Sequence, residues 1–129
     1  MKFHKDGSSP KNAEVFVFGS NKSGIHGAGA ALHAAKNFGA LPGLAFGMVN
    51  ESFAIPTKDR EIRTMKLNEI KKYVNLFIEF ANKRPHINFY ITRVGCGLAG
   101  YKDSDIAPMF KGIGDNCSVA YEWKKFLEN

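Results

Sequence analysis

At 129 residues, with 44% apolar and 12% aromatic content, the chain suits one packed domain. No apolar run approaches membrane-spanning length, and the opening MKFHKDGSSPKN lacks the apolar centre of a secretory signal. Two cysteines, Cys96 and Cys117, are too few for a disulfide framework or a zinc site. His4, His33 and His86 show no ligand spacing with one another, so no metal is expected; no cofactor is expected either, and a cytoplasmic, reduced setting is the default. A net charge of +6 raises the question of nucleic acid. Its carriers include Lys66, Lys71, Lys72, Lys83 and Arg84, with Lys124 and Lys125 further on. They are spread as on a solvated face and lack interleaved aromatics. Nucleic acid is a secondary alternative, while the charge still attracts anionic ligands.

In chain order, residues 1–12 read as a mobile polar lead-in and 13–129 as a single domain. The apolar run within 14–18 predicts a buried strand. Gly19-Ser20-Asn21-Lys22-Ser23-Gly24 is a cluster of turn-formers. An Ala-rich segment predicts a helix over 27–37, stopped by Gly39 in a left-handed conformation. Residues 45–49 predict a short strand and 52–55 a firmer one, whose pairing Pro56 should end. Thr57-Lys58-Asp59-Arg60 reads as a polar loop. Leu67, Ile70, Val74, Phe77, Ile78 and Ala81 recur at helical spacing, predicting an amphipathic helix over 67–83 that Pro85 closes. A second strong strand over 87–94 runs into a glycine loop, 95–101. Ser104 or Asp105 caps a short helix to Phe110. A last strand over 117–121 and a closing turn or helix over 123–127 follow. Strands alternating with helices predict a layered α/β domain.

A strand that empties through glycines into a helix start presents unpaired N–H groups and a positive dipole end, a seat for a phosphate. Two familiar phosphate loops are excluded. Gly19 to Gly24 has P-loop spacing, but Ile25-His26 stands where Lys-Ser/Thr is required. Gly27-Ala28-Gly29 opens like a dinucleotide fingerprint, yet Leu32 holds the third glycine position and Glu51 precedes a strand instead of ending one. In open α/β sheets ligands sit beyond the carboxyl ends of strands, so both glycine loops can face one cleft.

The pieces HGAGAA (26–31), FAIPTKD (53–59) and RVGCGLAGY (93–101) resemble the corresponding pieces of macro domains. They are most similar to the terminal ADP-ribose protein glycohydrolase branch and its small bacterial and phage relatives. The resemblance spans about residues 15–110. It implies a three-layer α/β/α sandwich with a mixed sheet of five or six strands. It also implies binding of ADP-ribose, or a related nucleotide diphosphate-sugar, free or carried on a modified macromolecule. On that likeness Gly24, His26, Gly27, Ala28 and Gly29 face Gly95, Cys96, Gly97, Leu98, Ala99, Gly100 and Tyr101 across the ligand. Thr57 lies at its edge, Asn21 at a ribose, and Tyr101 against the distal ribose.

In the glycohydrolase branch a lysine and an aspartate act on that distal ribose. Lys58 matches the lysine. Ala99 stands where the aspartate is expected, which leaves Asp59, Asp103 and Asp105 as stand-ins, Asp59 being next to Lys58. A nucleophilic or basic lysine needs a lowered pKa, for which Arg60 and Arg93 are candidate neighbours. Cys96 paired with His26 is a further nucleophile candidate, against the alternative of a small packed residue. Three readings result: a hydrolase of ADP-ribosyl linkages, a non-catalytic ADP-ribose-binding module, and a nucleic-acid-binding protein.

Overall fold

Val15 and Val17 point to one face of the central strand, Phe16 and Phe18 to the other, and all four are buried. A strand without polar alternation needs cover on both sides, and that requirement organises the domain. The computed structural model describes residues 1–11 and 13–128; Asn12, which ends the expected lead-in, and Asn129 lie outside them. Its strands are β1 (Lys2–His4), β2 (Glu14–Asn21), β3 (Gly47–Val49), β4 (Ser52–Lys58), β5 (Asn88–Ile91) and β6 (Cys117–Ala120). They form one sheet in the order β1-β6-β5-β2-β4-β3, parallel throughout except for the antiparallel edge pair β3–β4.

Helix α1 (Gly29–Asn37) covers one face, where Phe16, Phe18, Ala31, Ala34, Ala54 and Tyr90 pack together. Helix α2 (Leu67–Asn82) covers the other with Ile70, Val74, Phe77 and Ala81, the stripe its spacing predicts. Phe77 meets Phe53 and Phe89 edge-on at 4.9 and 5.3 Å. The short helices α3 (Asp103–Ile106) and α4 (Lys124–Leu127) complete this second layer, with Ile106, Phe110 and Trp123 fully buried in its core. The result is the three-layer α/β/α sandwich with a mixed sheet that the sequence leads one to expect. Gly39 has φ +73 after α1, as a helix stop requires.

Several boundaries differ from expectation. Pro56 does not end the β2–β4 ladder: Ser20 pairs Pro56, and a bulge between Ser20 and Asn21 brings Asn21 opposite Lys58. Thr57, the residue the bulge leaves over, is buried strand instead of loop. The last strand stops at Ala120, and 121–123 turn as a short 3₁₀ segment.

Residues 2–4, expected in a mobile lead-in, are the edge strand β1 on β6. Three residues give no periodicity to read; what holds them is tertiary. The His4 ring stacks on Tyr90 at 3.7 Å, and its Nδ1 shares a 2.6 Å hydrogen bond with Ser118 Oγ. Burial lowers the pKa of His4 despite the opposing fields of Glu14, Asp6 and Glu122. The unfolded chain therefore takes up a proton as pH falls through about 6.5, where the folded chain resists it, and stability drops in that window. Denaturant titrations at about pH 7.5 and 5.5 should show this loss, and His4→Phe, which keeps the stacked ring, should reduce it. An equal loss in the variant would remove His4 from the explanation.

Candidate functional site

Because β2, β4 and β5 run parallel, their carboxyl ends share one edge of the sheet. A cleft of about 780 Å³ opens there, within the range of small-molecule sites. One wall is the start of α1. Its N-cap, Ala28, is extended at φ −157 and ψ 164, no side chain caps it, and its first turn holds no acid. The free N–H groups at 28–31 therefore remain available to an anion at the cleft. The opposite wall is the second glycine loop. Gly95 takes φ +78 there, and a Cβ on it would come 3.1 Å from Ile106 Cδ1.

Of the residues singled out from the sequence, Asn21, Gly27, Ala28, Gly29, Thr57 and Lys58 line the cleft from one side. Gly95, Cys96, Gly97, Leu98 and Ala99 line it from the other. Asn21 uses its amide within its own loop, donating to the Ile25 carbonyl at 2.7 Å and accepting the Ile25 N–H at 3.1 Å. None of the ion pairs among the described residues involves Lys58.

Five others support the walls without lining them. Gly24 packs on the backbone of Gly43. His26 bonds the Leu41 carbonyl through Nε2 at 2.9 Å and meets Phe18 edge-on. Gly100 donates its N–H to the Gly97 carbonyl, closing the loop on itself. Tyr101 does not face the cleft; its hydroxyl donates to the Met65 carbonyl at 2.6 Å. Asp59 points away as well, into a hollow with Lys22, Phe46 and Tyr73.

The stand-in acids are all committed elsewhere. Asp59 Oδ1 accepts the N–H groups of Glu61 and Arg63, both at 2.9 Å. Asp103 holds Arg93 in a two-point pair at 2.9 and 2.6 Å and accepts Trp123 Nε1 at 2.7 Å. Asp105 accepts the Lys102 N–H at the start of α3. The one carboxylate lining the cleft among the described residues is Asp6, paired with Arg93 at 3.3 Å. It stands at the end of the cleft formed by the chain after β1, across the sheet from Lys58. Cys96 is also a poor nucleophile: burial, then the field of Asp103, pushes its thiol up to about 12, and its Sγ–H donates to the Val94 carbonyl. Its expected partner His26 is bound to Leu41 instead.

Sequence reasoning missed Asp6, Gly7 and Ser8, which form the far end of the cleft, together with Tyr90 and Ile62. Ser8 shares a 3.0 Å hydrogen bond with the Tyr90 hydroxyl, so the lead-in is built into the site. No motif signals this, because it depends on β1 reaching the sheet. A second hollow, lined by Lys102, Tyr121, Lys124 and Phe126, is broad and carries no glycine loop, and the two helices that begin beside it, α3 and α4, are only four residues long.

This architecture recurs in solved structures. The macrodomain of Mycobacterium tuberculosis DarG is similar over 93% of this chain and 97% of its own, with 17% identity and a TM-score of 0.68. The fold is that of a macrodomain. Thermosipho africanus DarTG in complex with ADP-ribose is also similar over 92% of this chain, at 16% identity and a TM-score of 0.68. This chain spans 43% of that protein. A Bacteroides thetaiotaomicron protein of unknown function shares the fold at 16% identity and a TM-score of 0.64, over 92% of this chain and 96% of its own. No family model and no curated protein matches the sequence.

Proposed function

We propose that this macrodomain-fold protein binds ADP-ribose and acts as a binding module for it. The observation that carries the reading is the uncapped start of α1 facing the Gly95 loop across a nucleotide-sized cleft. The diphosphate sits between the two, on backbone N–H groups that no carboxylate competes for. The adenosine end lies toward Tyr90 and Asp6–Ser8, and the distal ribose toward Lys58. The complex of the T. africanus protein with ADP-ribose supports the same ligand.

Binding is favoured over hydrolysis because, among the described residues, the Lys58 end of the cleft has no carboxylic acid. Departure of a group from the anomeric carbon is assisted by a proton donor within hydrogen-bond reach, and with Ala99 in place and Asp59, Asp103 and Asp105 committed elsewhere, no carboxylic acid among the described residues stands there. Lys58, in the cleft and in no ion pair among the described residues, is what a hydrolase reading would rest on. Calorimetry with ADP-ribose is expected to give a dissociation constant in the micromolar range, about −8 kcal/mol. No heat from ADP-ribose would sink the proposal, and RNA binding with a steep salt slope would support the nucleic-acid alternative. Wild-type protein incubated with ADP-ribosylated protein and nucleic acid is expected to release no ADP-ribose. Release that Lys58→Ala abolishes, with binding retained, would make the protein a hydrolase.

A further inference from the structure

Ile62 sits in a backbone conformation that its side chain disfavours. Beyond β4, residues 58–64 form a small hairpin, bridged between Lys58 and Thr64. Asp59 N–H donates to the Arg63 carbonyl at 2.8 Å, and Ile62 N–H to the Asp59 carbonyl at 3.1 Å. A three-residue hairpin loop of this kind ends in a left-handed residue, the seat normally taken by glycine. Here it is Ile62, with φ +63. A β-branched side chain in that region is strained, and strain that a fold retains at a site points to function.

The Ile62 side chain is not spent on the core. It is 43% exposed and lines the cleft beside Lys58. Two more exposed aliphatic side chains, Ile25 at 59% and Leu98 at 67%, line the same cleft from the two loops that flank the start of α1. The hairpin cannot drift relative to Leu98. Thr64 Oγ1 donates to the Ala99 carbonyl at 2.9 Å, and Tyr101 donates to the Met65 carbonyl. Asp59, with both its backbone and its carboxylate, builds the turn that aims Ile62.

We propose that Ile62 is a specificity residue: its side chain covers the C–H face of the distal ribose next to Lys58, and its strained seat is kept for that contact. This rests on the ADP-ribose reading above. ADP, which has the adenosine and diphosphate but no distal ribose, separates the two ideas. Ile62→Gly and Ile62→Asn both suit the left-handed seat and remove the aliphatic cover. Each variant should melt at the same temperature as the wild type or about 3 °C higher. Each should bind ADP-ribose about fivefold more weakly, the scale of a lost aliphatic contact, and bind ADP with unchanged affinity. Undiminished ADP-ribose affinity, or an equal loss for ADP, overturns the role at the distal ribose. A lower melting temperature in both variants overturns it too, by showing that Ile62 is kept for packing. If the wild type binds neither ligand, the reading of the cleft fails and takes this inference with it.

Discussion

Gly24→Ala should lower stability by about 3 kcal/mol and remove measurable ADP-ribose binding. Gly24 has φ +69, where an alanine already loses about 1–2 kcal/mol. The rest is contact. A Cβ at Gly24 would fall 2.4 Å from Gly43 Cα and 2.6 Å from Gly43 N, atoms of a backbone that no rotamer can move aside. The same two residues are joined by the Gly43 N–H to Gly24 carbonyl bond at 2.9 Å, so the strands of loop cannot separate without losing it. Any shift carries along Ile25 and the 27–29 segment that forms the anion wall. Gly43→Ala supplies the control. Gly43 also has a positive φ, +88, but open space surrounds the position of its Cβ, so that variant should lose only the conformational part. Thermal melts and calorimetry on the pair test the argument. Equal melting temperatures for the two variants would show that the Gly24–Gly43 contact is unimportant.

The difference between Gly24 and Gly43 illustrates what the sequence makes legible. Local periodicity revealed α2 and the apolar run of β2, since each is decided by spacing along the chain. The second glycine loop was legible as a loop, whereas residues 19–21 of the first continue β2, and the rule that ligands sit beyond strand carboxyl ends brought both stretches to one cleft. What each side chain does there depends on direction. Lys58 and Asp59 are adjacent in sequence, and adjacency at the end of a strand sends successive side chains to opposite faces. Lys58 accordingly lines the cleft, while Asp59 turns to the hollow beside Tyr73 and spends its carboxylate on the hairpin. Tyr101 was readable as an aromatic beside a glycine loop, but its partner, the Met65 carbonyl, is 36 residues away. Ile62 carried no signal at all, because a left-handed isoleucine becomes visible only when the turn is seen.

Asp103→Ala is the charge removal expected to harm the protein most, by about 2–3 kcal/mol. Partial burial opposes ionisation of Asp103, but hydrogen bonds from Arg93 and Trp123 and the field of Arg93 outweigh it and hold the carboxyl below its ordinary range. Its removal strands the Nε1–H of Trp123, a fully buried side chain, and frees a guanidinium whose remaining partner is Asp6. The side chains of the pair are 33% and 21% exposed, so water screens part of the loss and the larger penalties of fully buried pairs do not apply. The sign of the pH effect follows. A carboxyl with a lowered folded pKa contributes stability above its unfolded value of about 4, and that contribution fades as pH falls through the folded value. The stability gap between wild type and Asp103→Asn should therefore be full at neutral pH and shrink in acid. The network also ties the start of α3 and the end of β5 to Asp6 at the cleft, so ADP-ribose affinity should fall with stability, while Ile62→Gly should lower affinity alone. Denaturant titrations across pH, paired with calorimetry, check both consequences. An Asp103→Ala protein as stable as the wild type at neutral pH would mean that Arg93 and Trp123 find water as good a partner as the carboxylate.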